Sequence, residues 1–379
     1  MLNRILFVDD QPQILDGIRR MLRPKRDRWD MHFAGSGAEA LTLMETAPFD
    51  VVVTDMRMPQ MTGAELLFEV KHRHPDTMRI VLSGYYEQEN VYRCVGAAHQ
   101  YLMKPCDSAT ISASIDRALK LHALITAPPL RNLVGKLSNP PRLSEACQAL
   151  LKDIEIPDAS MEIIAAIVDR HASASYPRDE LPTATLNRLK ADMLGASLTN
   201  QYGASFNQSA SVAIWSRHVA AMAEALMKHE GADPMTMVDA YCSGLLASIG
   251  VLVLAANYPD QYADLTNSAS SLEEKERAVF GASHAQLGAY LLHYWGFNNA
   301  SVIALAYHHC PEEAEGAAID PVTVVHVAES MLGGSHGCSN SSATLNQAYL
   351  EAIGLGDHLG EWRHLIPGGD MKAPLAAVG

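Results

Sequence analysis

Short apolar runs and amphipathic stretches alternate along the front of the chain. Apolar runs stand at 4–8 (RILFV), 30–34 (DMHFA), 50–54 (DVVVT), 79–83 (RIVLS) and 100–103 (QYLM), each of strand length. Between them lie segments such as GAEALTLMETA and GAELLFEVKHRH, whose apolar positions recur at helical spacing. This alternation predicts α/β architecture: a doubly wound (βα)5 unit around a five-stranded parallel sheet. The last helix of the unit, 108–125 (SATISASIDRALKLHALI), runs into Pro128 and Pro129, which stop it.

From Leu130 to Trp362 nearly every segment has the helical period, so an all-α unit is expected to follow. Its candidate helices include SEACQALLKDI, SMEIIAAIVDRH, VAAMAEALMKHE, MVDAYCSGLLASIGVLVLAANY, EEKERAVFGASHAQLGAYLLHYWG, NASVIALAYHH, VTVVHVAESML and TLNQAYLEAIGL. Loops are expected at 173–185 and 333–342. The expected division is a first domain at 1–123, a linker at 124–130, a helical domain at 131–366 and a mobile tail at 367–379.

Composition narrows the partners. Of 379 residues 48% are hydrophobic and 19% charged, which suits globular domains with ample core. Acids outnumber bases 43 to 29, for a net charge of −14, so a nucleic-acid surface is not expected and DNA is set aside as a partner. No uninterrupted apolar run reaches the ~18 residues of a spanning helix, and acidic residues follow the start too soon for a secretory signal. Cys94, Cys106, Cys147, Cys242, Cys310 and Cys338 are scattered without a Cys-x-x-Cys pair and read as reduced thiols. A cytoplasmic protein with no membrane partner is expected.

Three carboxylates stand at strand ends: Asp9 and Asp10 after the first strand, Asp55 after the third. The carboxyl ends of central parallel strands form the crevice where ligands bind. Crowded acids there repel one another, and a hard divalent cation, Mg²⁺ above all, relieves that strain. Lys104, fixed by Pro105 just past the fifth strand, can reach the same crevice, and Ser83 ends the fourth strand. The set suits Asp55 as nucleophile on a phosphoryl group, with Mg²⁺ and Lys104 stabilising the charge on its oxygens. Ser83 would then donate a hydrogen bond to the phosphoryl group and draw its loop inward, Tyr101 would turn into the space left, and Gly84 keeps the approach open.

ILFVDD, VVVTDMRMPQMTG, VLSG and YLMKP, in this order and spacing, resemble the receiver domain of bacterial two-component response regulators over about the first 122 residues. The resemblance implies that Asp55 accepts phosphate from a histidine kinase. It implies also that Asp9, Asp10, Asp55 and the Met56 carbonyl hold Mg²⁺, that Ser83 and Tyr101 form the switch, and that Arg57 tunes dephosphorylation.

The helical half carries widely spaced histidines, His218, His284, His308 and His309, among the chain's 16. A single histidine is ordinarily a surface or packing residue. The run from Glu276 to His309, with FGASHAQLGAYLL, WGF and HH, together with RHVAAMA and VVHVAES, resembles the HDOD domain, a relative of the HD-type metal-dependent phosphohydrolases. The resemblance covers about 131–366, and the loop at 173–185 departs from the family's usual helix. Catalytic relatives read Leu-Leu-His-Asp-Ile-Gly-Lys where this chain has LLASIGV. Ala247 and Ser248 replace the His-Asp pair, Val251 replaces the Lys, and Glu329 stands for the final Asp. Alanine offers no ligand atom and a serine hydroxyl is a poor substitute for carboxylate, so a bridged two-metal centre is not expected. His218, His284, His308, His309 and Glu329 then line a vestigial site with no catalytic residue and at most a weakly held ion.

The chain is therefore expected to be a response regulator whose inactive output domain works through contacts with a downstream protein, with phosphorylation-dependent pairing as one route. The alternative is a cyclic-dinucleotide phosphodiesterase of HD type using a reduced metal site.

Overall fold

The computed structural model describes residues 2–84, 97–154, 160–173, 182–203, 209–266, 271–314, 319–332 and 345–365. The expected loop at 333–342 and tail at 367–379 lie outside the described residues, as does the stretch 85–96 between the fourth and fifth strands. By compactness the chain forms two units. One comprises Met1–Pro128 with Gln148–Leu186 and Leu292–Asn299; the other comprises Pro129–Cys147, Asn187–Leu291 and Ala300–Gly379.

The first unit is built on β1 (Asn3–Val8), β2 (Trp29–Ala34), β3 (Val51–Asp55), β4 (Met78–Gly84) and β5 (Gln100–Lys104). All neighbouring strands are parallel, in the order β2-β1-β3-β4-β5. The α/β expectation is met, and each strand lies within one residue of its predicted start. The order reverses direction between β1 and β3, which places a crevice at their carboxyl ends.

The helices of this region are α1 (Pro12–Met21), α2 (Gly37–Thr46), α3 (Gly63–Arg73) and α4 (Ser108–Ile125). Pro12 opens α1 where a missing N–H costs nothing. Ser36 caps α2, a Thr62–Glu65 capping box closes the start of α3, and Asp107 caps α4. The apolar sides of β1, β3 and β4 meet those of α2 and α3 in a core of Leu6, Val8, Met44, Val52, Leu67, Val70 and Val81. Trp29, which opens β2, is 2% exposed.

The helices that follow are α5 (Pro128–Gly135), α6 (Glu145–Asp153), α7 (Met161–His171), α8 (Pro182–Tyr202), α9 (Ser209–His229), α10 (Pro234–Leu246) and α11 (Ile249–Asn257). After them come α12 (Pro259–Thr266), α13 (Leu272–Phe280), α14 (His284–Tyr294), α15 (Asn299–Tyr307), α16 (Pro321–Leu332), α17 (Gln347–Ala352) and α18 (Leu359–Trp362). No strand occurs among the described residues beyond β5, as the change of period predicts. In the second unit α9, α10 and α16 pack together around Val219, Met222, Leu226, Ala240, Val324 and Val327, with Trp362 fully buried among them.

Four details differ from the pattern-based expectation. The apolar run 238–258 is two helices, not one, because the chain turns at Ala247–Ser248. The run 273–296 breaks at Gly281, whose φ of 83° lies in the left-handed region that ends a helix. Residues 182–185, placed in a loop, begin α8, with Pro182 at its first position. Finally, Pro234–Asn257 is by length and composition apolar enough to cross a membrane, at a mean hydropathy of 1.8, yet 83% of its most apolar window is buried inside the protein. Asp239, Ser243 and Ser248 interrupt its apolar residues, so it holds no unbroken apolar run of spanning length.

Candidate functional site

The strand ends of the first unit bring three of the expected residues together. Asp9 follows β1 and is 2% exposed; Asp55 and Lys104 are the last residues of β3 and β5. Lys104 Nζ donates to Asp9 Oδ2 at 2.9 Å and also to Asp55 Oδ1, so one ammonium links two carboxylates. The Gln11 N–H donates to the other Asp9 oxygen at 3.0 Å, and the Arg57 N–H donates to Asp55 Oδ2 at 2.7 Å. Pro105 follows Lys104 through a cis peptide bond.

The loop after β3 is held by backbone contacts. The Gly63 N–H donates to the Met56 carbonyl at 2.9 Å, and Met56 N–H to Leu82 O at 3.3 Å. A Cβ on Gly63 would overlap the Asp55 carbonyl, so only glycine lets α3 begin this close to β3. The Thr54 hydroxyl donates to the Asp55 carbonyl at 2.9 Å.

Burial raises the Asp55 carboxyl above its ordinary range, against the pull of Lys104. Burial lowers Lys104, but its hydrogen bonds to Asp55 and Asp9 outweigh that and hold the ammonium charged. Asp10 contributes a buried Oδ1 with no hydrogen-bond partner. Such an orphaned carboxylate oxygen, next in sequence to buried Asp9, fits a hard divalent cation that prefers oxygen ligands. Ser83 and Gly84 end β4 in register with Met103 and Lys104 of β5, and Tyr101 lies opposite Val81. The side chains of Ser83 and Tyr101 are outside the described part of the structure.

In the second unit the structure brings His284, His308 and His309 together, each offering a ring nitrogen within 4.8 Å of the others. His284 opens α14, and His308–His309 follow α15. Glu329, on α16, has its Oε2 3.7 Å from His308 Nε2 and 3.8 Å from His309 Nδ1. His218, on α9, is not one of the clustered three, and its Nδ1 is buried without a partner. Ala247 and Ser248 form the joint between α10 and α11, and Ala247 is buried. Immediately after them a Cβ on Gly250 would overlap the His284 carbonyl, so α11 is seated directly against the backbone that carries His284.

Burial lowers His284, but the charge of Glu276 outweighs it and lifts the imidazole to about 9. Burial brings His308 down to about 4 and His309 well below its usual value, and lifts Glu329 to about 7. Two residues not singled out by sequence complete this set. Glu276 is fully buried on α13 and accepts from both the backbone N–H and Nδ1 of His284 at 2.8 and 2.7 Å, while Tyr262 donates to its other oxygen at 3.0 Å. Glu273, one turn earlier, is also buried. Their signal in the sequence is two acids at i and i+3 on a helix whose other inward residue is Leu272.

Comparison with known proteins follows the same division. The family model of the response regulator receiver domain matches residues 5–116, and that of the HDOD domain matches residues 186–311. The hydrogenase transcriptional regulatory protein HoxA of Cupriavidus necator is 38% identical over 122 residues, 32% of this chain and 25% of that protein. The regulatory protein AtoC of Escherichia coli is 31% identical over 175 residues, 43% of this chain and 36% of that protein. The chain thus spans well under half the length of these curated relatives. Among solved structures, the signal receiver domain of an HD domain-containing protein from Pseudomonas fluorescens covers 32% of this chain and 98% of its own, at 29% identity and a TM-score of 0.31.

Proposed function

Because the chain carries a response regulator receiver domain over residues 5–116 and an HDOD domain over residues 186–311, we propose that a histidine kinase phosphorylates Asp55 and that the signal leaves through protein contacts of the helical unit. The observation that carries the reading is the Lys104 ammonium bridging Asp9 and Asp55 at adjacent strand ends. We assign the receiver to 1–123, a linker to 124–130, the output domain to 131–366 and a tail to 367–379.

Asp9, Asp10, Asp55 and the Met56 carbonyl would hold Mg²⁺, which neutralises charge on phosphoryl oxygens when bound. The chain's own residues do the rest. An Asp55 oxygen forms the new P–O bond as the P–N bond to the donor's phosphohistidine breaks. Lys104 holds the carboxylates in place beforehand and meets the negative charge gathering on the transferred group. The Arg57 N–H keeps the second Asp55 oxygen oriented, and the Arg57 side chain, next along the loop, governs the later approach of water. Ser83 donates to the new phosphoryl group, Tyr101 turns inward after it, and Gly84 leaves the donor room.

Phosphorylation then shifts a two-state equilibrium of the receiver. Taking such a balance from mostly off to mostly on requires about 5.5 kcal/mol of differential free energy. The helical unit carries no hydrolytic centre, because Ala247 and Ser248 stand at its α10–α11 joint. It hides or presents a surface for a downstream protein, and pairing of receivers is one means of doing so.

The test uses radiolabelled acetyl phosphate and the full chain. Labelling should require Mg²⁺, stop with EDTA, and slow about 10²–10³-fold in Lys104→Met. Labelling that ignores both chelator and substitution would refute the assignment of this crevice, and rapid phosphodiester hydrolysis by the same preparation would refute the contact-only output.

A further inference from the structure

Between α5 and α6 the segment 137–144 (LSNPPRLS) has no regular secondary structure, and its exposure alternates. Leu137, Asn139, Pro141 and Leu143 are half-buried, while Ser138, Pro140, Arg142 and Ser144 are exposed. A period of two is that of an extended chain laid on a surface. Here the surface is formed by α8 and the end of α11, and its side chains hold the main chain of the segment. The Asn257 amide accepts from the Asn139 N–H at 2.7 Å and donates to the Asn139 carbonyl at 3.0 Å, as a neighbouring strand would. Across Pro141, the Gln201 amide accepts from the Arg142 N–H at 2.6 Å and donates to the Pro140 carbonyl at 2.9 Å. The Tyr202 hydroxyl donates to the Asn139 carbonyl at 3.0 Å, and Ser197 Oγ accepts from the Ser144 N–H at 2.7 Å. Segment and groove both belong to the second unit.

We propose that this groove is a binding site for an extended, proline-containing segment of a partner protein, and that 137–144 is the chain's own occupant of it. The proposal rests on the contact-only reading above and names the chemistry of that contact. Most of the hydrogen bonds go to main-chain atoms, so the groove suits any extended chain that presents the same spacing of N–H and carbonyl groups. Pro140 and Pro141 carry no N–H, and the N–H groups on either side of them, at Asn139 and Arg142, are both taken by the two amides. Adjacent prolines also hold a chain extended before it binds, which lowers the ordering cost. One side chain is read as well: Asn139 Oδ1 accepts from the Gln201 amide at 3.0 Å.

Groove and occupant differ in how firmly they are built. Tyr202 is 0% exposed, and the Asn257 amide also donates to the Val253 carbonyl one turn back at 2.8 Å, so both are positioned by their own helices. No residue of 137–144 is fully buried, so hydrogen bonds rather than a core hold the segment down, which is the kind of contact that opens locally. An attached segment competes at an effective concentration of order mM, so the groove is closed to a partner until the segment is outcompeted or loosened. The mode is that of strand addition, with two side-chain amides standing in for the strand edge.

The experiment adds a fluorescein-labelled peptide, LSNPPRLS, to the full chain and reads binding by fluorescence anisotropy. Weak binding is expected for the wild-type chain, whose groove is occupied. Asn139→Ala combined with Pro140→Gly and Pro141→Gly removes one hydrogen bond and two rigid residues from the attached segment, and should tighten peptide binding about 10-fold. Adding Asn257→Ala, or separately Gln201→Ala, to that variant should cancel the gain, and circular dichroism checks that each remains folded. No gain in the loosened variant, a gain that survives both groove substitutions, or pairing of loosened chains by exchange of the segment without peptide binding would each overturn the proposal. Phosphodiester hydrolysis is followed on the same preparations and is expected to be absent. Its presence would refute the contact-only reading, whereas absent hydrolysis with no gain in peptide binding would refute the groove alone.

Discussion

Two glycines mark the places where a single atom decides whether the sites can form. At Gly63 a Cβ would overlap the Asp55 carbonyl, and at Gly250 it would overlap the carbonyl of His284. Each glycine thus lets a helix start against the backbone that carries a functional residue. Gly250→Ala should destabilise the chain by about 1–3 kcal/mol, the usual cost of overpacking, seen as a lower midpoint in urea unfolding with an unchanged slope. An unaltered midpoint would show that α11 is not seated as described. Close approach of this kind was legible only as far as LLASIG resembles a family motif, since backbone proximity leaves no period in the sequence. The carboxylates at the strand ends were easier to read. Asp9, Asp10 and Asp55 each follow a strand-length apolar run, and parallel strands must point their carboxyl ends the same way. Glu276 escaped notice because a buried acid on an amphipathic helix looks like any exposed one until its partners, His284 and Tyr262, are placed.

At the scale of elements, local signals and tertiary ones parted company. The α3 start was written in sequence as Thr62-x-x-Glu65, and both hydrogen bonds of the box are present, Thr62 N–H to Glu65 at 2.8 Å and Glu65 N–H to Thr62 Oγ1 at 3.2 Å. Thr62→Ala should cost about 1 kcal/mol in chemical unfolding. Because α3 springs from the Asp55 loop, the same variant should also slow phosphoryl labelling; an unchanged rate would separate helix capping from the site. The five strands were legible for a related reason: their runs are short, β-rich and bounded by turn residues. The α10–α11 joint was not legible, because Ala247, Ser248 and Ile249 carry no Gly or Pro to announce a turn and the apolar pattern continues across them. Packing on both sides of the joint fills every position from Leu245 to Leu254 except Ser248 with buried residues, which erases any helical stripe.

For the molecule as a whole, the proposed function divides the chemistry: a reactive carboxylate at Asp55, and a helical unit proposed to work by contact. The central claim is tested most directly by one measurement, made where the chemistry is committed. That measurement is the intact mass of the full chain after exposure to acetyl phosphate and Mg²⁺, compared with Asp55→Asn treated in parallel. The account predicts a single phosphoryl adduct on the wild-type chain and none on the variant. An adduct of equal yield on Asp55→Asn would contradict it.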